Sequence, residues 1–231
     1  MSKILFVLTG AEYWTLADGT EHPTGFWAEE FTTPFRAFTA AGHEVTVATP
    51  GGVRPTVDRA SLTAGAVGGH SEADALTAEL AGLPALQHPV KLSEVEPTDY
   101  DAVFYPGGHG PMEDLAVDAD SGRLLTAALA SGRPLAVVCH GPAALLAAEL
   151  PDGSSPFAGY RLTGFSNAEE RAAGLADRAK WLLQDRLEAL GADYREGEPW
   201  APFVVTDRNL ITGQNPSSSG PLAEEVLRRL A

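Results

Sequence analysis

The stretch that decides the fold is Arg133–Pro142, RPLAVVCHGP. Its apolar, β-branched run Leu135–Val138 predicts a strand that is buried on both faces. The run ends abruptly at Cys139–Pro142, and the following Ala143–Glu149 predicts a helix. A strand, a sharp turn and a helix in this order form a nucleophile elbow, in which the turn lifts one side chain clear of the sheet. We therefore expect Cys139 to sit at the tip of such an elbow.

Cys139 is the only cysteine of the chain, and its position favours a reactive thiol. A helix N-terminus and a neighbouring imidazolium both favour the thiolate form, and His140 is the next residue. Elsewhere in a fold, a free cysteine is more often a small and inert core residue. Here we expect a nucleophile with His140 as its base. The base also needs an orienting acceptor, for which Glu169 and Glu170 are both candidates.

The composition is that of a globular chain with a strongly acidic balance. Hydrophobic residues make up 44% of the 231 residues, enough for a sizeable core. The formal net charge of -15 disfavours nucleic acid as a partner. One cysteine excludes an internal disulfide and fits a reducing compartment. The start, MSKILFVLTG, predicts a strand rather than a signal peptide, and no apolar run reaches membrane-spanning length. We expect a cytoplasmic protein without a membrane partner.

Strand patterns alternate with helical patterns along the chain. Strands are predicted at Lys3–Leu8, Glu44–Ala48, Asp101–Tyr105, Leu135–Val138 and Tyr160–Thr163, followed by a hairpin of Phe203–Thr206 and Leu210–Thr212. Helices are predicted over residues 27–38, 71–80, 121–130, 179–190 and 221–230, where Pro34 either starts the first helix or kinks it. This alternation predicts one α/β domain over residues 1–231, a doubly wound, mostly parallel sheet sandwiched by helices in the flavodoxin-like manner. Thr9–Thr24 predicts a functional loop, and most of Val53–Thr98 carries little signal.

Ligands of a doubly wound sheet bind beyond the carboxyl ends of its strands, so the loop after Asp101–Tyr105 should lie beside the elbow. In that loop, Gly107 and Gly108 allow the backbone to approach a substrate and to aim amide groups at it, as an oxyanion hole requires. The spacing is neither Walker A nor GxGxxG, so a phosphate cradle is not predicted. His109 follows the glycines, and we expect it to line the pocket.

Glu30 and Trp14 complete the candidates that the residues themselves suggest. On the first helix, Glu29 falls opposite the aromatic stripe and should face water, whereas Glu30 lies on the flank of the stripe. A carboxyl at the edge of an apolar face tends towards a raised pKa, which suits a general acid/base beside a thiolate. Trp14 is a candidate for the floor of the pocket. The other histidines have no ligand spacing, so no metal site is predicted.

Six blocks of the sequence together resemble the DJ-1/PfpI superfamily, which has a class I glutamine amidotransferase-like fold, and within it the Hsp31-like glyoxalase III branch. The blocks are TGFWAEEFTTPF (Thr24–Phe35), YDAVFYPGGHG (Tyr100–Gly110), AVVCHGPAAL (Ala136–Leu145), LTGFSNAEE (Leu162–Glu170), PW (Pro199-Trp200) and TDRNLITGQNPSS (Thr206–Ser218). They span nearly the whole chain. A glutamine amidotransferase would carry its histidine in an HxE motif downstream of the cysteine, and no HxE follows Cys139.

The resemblance implies a nucleophile at Cys139 and a buried acid at Glu30. It also implies a Cys–His–acid triad that His140 and Glu170 complete, which selects Glu170 over Glu169. By the same resemblance Gly107 and Gly108 supply backbone amides, and the loop of Asn215 lies close to the site.

The activity implied by the resemblance is a glutathione-independent glyoxalase, a lyase of the D-lactate dehydratase type that uses no cofactor. It would convert methylglyoxal or glyoxal to lactate or glycolate through a hemithioacetal of Cys139. The expected partner is a small 2-oxoaldehyde, and the family's habit implies a homodimer.

Two other hypotheses use the same residues. One is a cysteine hydrolase, amidase-like or peptidase-like, acting on an acyl substrate. The other is a stress chaperone or redox sensor in which Cys139 is oxidised to a sulfinate held by Glu30. The chaperone predicts a large exposed apolar patch. The bulky Trp14, Trp27 and Trp200 favour a small substrate and therefore the glyoxalase.

Overall fold

The computed structural model describes all of residues 1–231. The strands in chain order are β1 (Lys3–Val7), β2 (Tyr13–Thr15), β3 (Glu21–Pro23), β4 (Glu44–Thr49), β5 (Val90–Lys91), β6 (Ala102–Tyr105), β7 (Leu135–Val138), β8 (Arg161–Leu162), β9 (Asp193–Tyr194), β10 (Val204–Asp207) and β11 (Leu210–Gly213). The helices are α1 (Ala28–Ala40), α2 (Ala64–Val67), α3 (His70–Gly82), α4 (Pro84–Gln87), α5 (Ala119–Ser131), α6 (Asn167–Ala172), α7 (Leu183–Ala189) and α8 (Ser219–Leu230). Short 3-10 turns connect several of them.

A seven-stranded sheet in the order β10-β11-β7-β6-β1-β4-β5 forms the centre of the molecule. Every neighbouring pair is parallel except β10 and β11, which form an antiparallel hairpin. The predicted mostly parallel α/β sheet with a late antiparallel pair is therefore confirmed. The parallel strands β1, β6 and β7 are almost wholly buried, as their continuous apolar sequences require.

The aromatic stripe of α1 packs on the central sheet. Phe31 and Phe38 are buried, and the Phe6 ring of β1 lies 5.4 Å from Phe31 and 4.8 Å from Phe104 of β6 between ring centroids. Such aromatic pairs add stability beyond the area they bury. The helix runs from Ala28 through Pro34, so this proline lies inside the helix rather than at its start. As predicted, Glu29 is exposed.

The structure differs from the sequence predictions in four segments. The predicted loop Thr9–Thr24 contains the small antiparallel hairpin of β2 and β3. The predicted strand Tyr160–Thr163 is the shorter β8, which lies outside the central sheet and pairs with β9 in a separate two-stranded sheet. The helix expected after the elbow is a 3-10 helix over Gly141–Ala147. The helix expected over Ala179–Leu190 is the shorter α7. No helix of the chain has both the length and the apolarity that crossing a membrane would need.

Candidate active site

Cys139 lies at the end of β7 in a left-handed backbone conformation, with a φ of 59°. A non-glycine residue pays a conformational penalty there, so the surrounding structure must hold it in place. Its amide donates to the Gly213 carbonyl (2.9 Å), and its carbonyl accepts from the Phe165 amide (2.8 Å). The strained turn, held from both sides, is the predicted elbow.

His140 connects the thiol to a carboxylate. Its Nδ1 lies 3.4 Å from Cys139 Sγ, and its Nε2 lies 2.7 Å from Glu170 Oε2. All three residues are buried, with exposed fractions of 3% or less. An ionised carboxylate only accepts hydrogen bonds, so His140 Nε2 carries a proton and Nδ1 of the neutral ring faces the thiol with its lone pair. The geometry is that of a Cys–His–acid triad.

Burial lowers the pKa of His140 to about 4, with His109 adding to the effect. Burial alone would raise the pKa of Glu170, but the two neighbouring histidines, His140 and His109, together bring it below its usual range. At neutral pH, the ring is therefore neutral and the carboxylate is charged.

Glu30 approaches the thiol from α1 and is fully buried. Its Oε2 accepts a hydrogen bond from the Gly107 amide (2.7 Å), while its Oε1 is buried with no partner. Burial raises the pKa of Glu30 to about 8, against the lowering influence of Cys139 and the Gly107 amide. The carboxyl is therefore protonated at neutral pH. Because Oε2 accepts from an amide, the proton belongs on Oε1, which leaves a buried O–H without a partner.

The protonation state of the resting thiol differs from the sequence prediction. Burial raises the pKa of Cys139 well above its ordinary value, and an ionised Glu30 would raise it further. The expected imidazolium is absent because His140 is neutral, and the elbow opens into a 3-10 helix instead of an α-helix. We conclude that the thiol, rather than the thiolate, is present at rest.

Gly107 and Gly108 lie against the thiol, but their amides face different groups. The Gly108 amide donates towards Cys139 and lowers the pKa of the thiol, whereas the Gly107 amide is already bonded to Glu30. In this structure the Gly107 amide is therefore occupied by Glu30, and the Gly108 amide is the one that faces the thiol. Side chains do not fit at either position. A Cβ on Gly107 would come 2.6 Å from the backbone nitrogen of His140, and Gly108 has a φ of 86°.

The remaining candidates lie in two different places. His109 and Trp14 join the triad: His109 Nε2 lies 2.8 Å from Glu170 Oε1, and the Trp14 indole stacks on the His109 ring at 4.9 Å. Asn215 does not contact the triad. Its Nδ2 donates to Glu169 Oε1 and to the Ala201 carbonyl, both at 2.8 Å.

One residue near the site and the role of another escaped the sequence predictions. Phe165 packs its ring 4.4 Å from that of His140, and no sequence signal marks it. Glu169 is a buried structural carboxylate that closes a capping box with Ser166 and accepts the Trp200 amide at 2.8 Å. The pattern Ser-x-x-Glu is the known signature of such a box, so this role could have been found in the sequence.

The cluster of His109, His140 and Glu170 has the composition of a metal site, with its ligand atoms within 4.8 Å of one another. However, both oxygens of Glu170 already accept hydrogen bonds from the two imidazoles. A metal would have to displace both ring protons. The hydrogen bonds account for the cluster, and we propose no metal here.

Cys139 is closely surrounded by other residues of the protein. Five surface cavities of about 400 to 520 Å³ are lined by other residues, and none includes Cys139 or its partners. Cys139 itself is 3% exposed. In this conformation the thiol is almost closed off from solvent.

Comparison with known proteins places this arrangement in a family. The chain is 32% identical over 234 residues to glyoxalase 3 of Candida albicans, an alignment that covers 98% of each protein. It is 31% identical to the protein/nucleic acid deglycase HchA of Pseudomonas aeruginosa, covering 99% of this chain and 80% of that protein. The crystal structure of glyoxalase III from Candida albicans superposes with a TM-score of 0.82 at 28% identity, covering 99% of this chain and 97% of the other. Residues 22–229 match the model of the DJ-1/PfpI family, and the chain therefore belongs to that family.

Proposed function

We propose that this protein is a glutathione-independent glyoxalase that converts small 2-oxoaldehydes such as methylglyoxal to 2-hydroxy acids, with Cys139 as the nucleophile. One observation carries the proposal: a buried carboxyl of Glu30, protonated and unpartnered on Oε1, lies beside a thiol that already has a triad base. A hydrolase needs the triad alone. An isomerisation also needs a group that moves a proton between two carbons, and Glu30 is placed for it.

The first step is addition of sulfur to the aldehyde. His140 Nδ1 takes the thiol proton, and Glu170 stabilises the imidazolium. The sulfur then forms a bond to the aldehyde carbon, and the carbonyl oxygen gains the negative charge. The Gly108 amide stabilises this oxyanion, and the Oε1–H of Glu30 protonates it, which leaves a hemithioacetal and a Glu30 carboxylate.

The second step is the proton transfer that defines the reaction. The Glu30 carboxylate removes the hydrogen of the former aldehyde carbon, giving an enediolate whose charge the imidazolium of His140 compensates. Glu30 then returns that proton to the neighbouring carbon, and His140 protonates the oxygen there. The Glu30 carboxylate then takes the hydroxyl proton from the first carbon, which yields a thioester of Cys139 and restores the protonated Glu30. The atoms of the hemithioacetal are only rearranged, so no outside oxidant or reductant takes part.

The last step is hydrolysis. His140, again neutral, draws a proton from a water molecule that attacks the thioester carbonyl, and the thiol leaves with a proton. The sum is one 2-oxoaldehyde and one water giving one 2-hydroxy acid. The burial of Cys139, which is 3% exposed, favours substrates of this size over peptides.

The relatives support the same assignment, since one is named a glyoxalase and its solved structure covers nearly the whole chain. The name of HchA refers to protein and nucleic acid deglycation, which is partly at odds with our expectation that nucleic acid is no partner. We retain that expectation because the net charge of -15 repels a polyanion. A cytoplasmic location, a homodimer and a single domain over residues 1–231 are also part of this proposal.

The test compares two substrates with the wild-type protein and no glutathione. Methylglyoxal should yield lactate, measured enzymatically for each enantiomer, and the activated ester p-nitrophenyl acetate should be hydrolysed poorly. Rapid ester turnover without lactate formation would instead support the cysteine hydrolase. If the protein, with Cys139 intact, binds unfolded proteins and turns over neither substrate, the result would support the chaperone.

A further inference from the structure

Glu170 is held by two histidines, one on each carboxylate oxygen. His140 Nε2 lies 2.7 Å from Oε2, and His109 Nε2 lies 2.8 Å from Oε1. A triad needs only the first of these bonds. A glutamate that is held at one oxygen can still rotate about its side-chain bonds, whereas contacts to both oxygens fix the plane of the carboxylate.

His109 is itself held by packing. The Trp14 indole stacks on its ring with centroids 4.9 Å apart and planes 16° apart. The His140 ring lies 4.0 Å away, and the edge of His22 approaches at 6.1 Å. The side chain of His109 is only 12% exposed. With its Nε2 bonded and its ring packed, this histidine is poorly placed to bind a substrate.

Trp14 belongs to the hairpin of β2 and β3, where it pairs with His22. The hairpin is tied down at the next residue, because the Thr15 amide and hydroxyl both donate to the Glu113 carboxylate, at 2.8 and 2.7 Å. The indole is 1% exposed. A chain of contacts therefore runs from Glu113 through Thr15 to its neighbour Trp14, and from there through His109 to the triad.

We propose that His109 is a positioning residue, which fixes Glu170 and thereby the His140 ring, and that Trp14 holds His109 in place for this task. The proposal deepens the proposed function and rests on it, since it concerns the same triad. It replaces the pocket-lining role that the sequence predicts for His109. Precise support of this kind commonly changes activity by one or two orders of magnitude.

The test uses His109→Phe, which keeps an aromatic ring for Trp14 but has no donor, and His109→Gln, whose amide N–H has a similar reach. His88→Phe is the matched control, because it makes the same exchange at an exposed histidine. For methylglyoxal, we expect His109→Phe to lower kcat by about 10- to 100-fold with KM nearly unchanged, and His109→Gln to recover most of the loss. His88→Phe should match the wild type.

The variant Trp14→Leu provides a second and independent test of the proposal. Because Trp14 acts through His109, the double variant with His109→Phe should lose no more kcat than His109→Phe alone. Full additivity of the two losses would contradict the contact chain. If His109→Phe folds poorly, Trp14→Leu can be paired with His109→Leu, which also lacks a donor.

Alkylation of Cys139 by iodoacetamide reports on the triad without any substrate, because Cys139 is the only cysteine. Its rate should fall in the order wild type, His109→Gln, His109→Phe. A failure of wild-type protein to make lactate, with this order intact, would refute the glyoxalase but support the positioning role. An increase in KM at unchanged kcat, equal losses in the Phe and Gln variants, or wild-type behaviour of His109→Phe would each overturn the proposal.

Discussion

Cys139 and Glu30 act as one unit, because each changes the charge that the other can carry. A carboxylate beside the thiol opposes thiolate formation, and a protonated carboxyl assists it. The elbow brings the sulfur to the carboxyl, and burial keeps the proton on Glu30 at neutral pH. The resting site is therefore neutral at both groups and becomes charged only during the reaction.

These protonation states predict a bell-shaped pH profile. The pKa of His140 is about 4, so the base becomes protonated and inactive below that pH. The pKa of Glu30 is about 8, so the acid that protonates the oxyanion is lost above it. We expect kcat/KM for methylglyoxal to be flat between these values and to fall on both sides. A profile that keeps rising beyond pH 8 would assign the acid role to another group.

Glu30→Gln should abolish turnover while preserving the site. The amide can accept the Gly107 hydrogen bond and keep a donor in the place of the Oε1–H, but it cannot move a proton between two carbons. We expect kcat to fall by about 10²- to 10⁴-fold. Glu29→Gln is the matched control, since this neighbour on α1 is exposed and should keep full activity. Substantial turnover by Glu30→Gln would remove Glu30 from the mechanism.

Glu30 also makes folding stability depend on pH. The pKa of a glutamate side chain is 4.5 in water, and that of Glu30 is about 8 in the folded protein. Between these values the folded state holds a proton that the unfolded state releases, so this contribution to stability is full below pH 4.5 and is lost as pH rises through 8. Glu30→Gln has no such loss. In urea titrations, the free energy of unfolding of Glu30→Gln should therefore rise relative to that of the wild type as the pH increases, by an amount of the order of a few kcal/mol. A constant difference between the two proteins would contradict the raised pKa.

The two adjacent carboxylates Glu169 and Glu170 show what single residues disclose in the sequence. Spacing alone left both as candidates for the triad, and the family resemblance selected Glu170. The capping box around Ser166 offers a physical reason for the same choice, because it uses Glu169 inside its own helix end. The triad geometry itself could not be predicted, since it depends on how α6 packs against the elbow.

At the scale of the elements, the glycine loop is closely packed against the elbow and the start of α1. A Cβ on Gly108 would collide with the Gly25 carbonyl and come 2.9 Å from the backbone nitrogen of Trp27. This close approach brings the loop after β6, the start of α1 and the elbow together. The sequence predicted that the glycine loop lies beside the elbow, because both follow parallel strands at the same edge of the sheet. It could not predict that Glu30 accepts a hydrogen bond from the Gly107 amide.

Gly108→Ala should therefore be strongly destabilising. We expect a loss of about 2 to 4 kcal/mol, from a left-handed backbone and an overlap with backbone atoms that cannot move away. Gly132→Ala is the matched control, because Gly132 has a φ of 74° and no atom within 4 Å of an added Cβ. It should lose only about 1 kcal/mol. Equal losses in thermal or urea unfolding would mean that the close packing at Gly108 is unimportant.

The hairpin of β2 and β3 shows where element prediction fails for physical reasons. Each strand has three residues, too few for an alternating pattern to stand out, and the pair lies outside the central sheet. Most of Val53–Thr98 fails similarly, since apart from α3, which the sequence predicts, its elements are short helices such as α2 and α4. Long apolar strands such as β7 are readable because burial on both faces leaves a continuous signal.

At the scale of the whole molecule, the sequence discloses the class of fold but not the arrangement of its strands. Alternating strands and helices require a parallel sheet, whereas the central place of β1 between β4 and β6 depends on contacts far apart in the chain. A single core cluster of 49 buried residues contains side chains from Ile4 to Val226. This continuity supports the proposal of one domain.

One domain predicts one cooperative unfolding transition. Tryptophans lie in both halves of the chain, with Trp14 and Trp27 in the first and Trp181 and Trp200 in the second. Two variants, each with one of these pairs replaced by phenylalanine, should show fluorescence transitions in urea that coincide with each other and with circular dichroism. Separate midpoints for the two halves would divide the chain into two units.

The central claim is that the Cys139 sulfur performs glyoxalase chemistry with no thiol from outside. The most direct measurement is lactate formation from methylglyoxal, without glutathione, by the wild type and by Cys139→Ala at equal concentrations of folded protein. We predict steady lactate production by the wild type and none above background by the variant. Equal production by both proteins, or a wild type that becomes active only when glutathione is added, would contradict the claim.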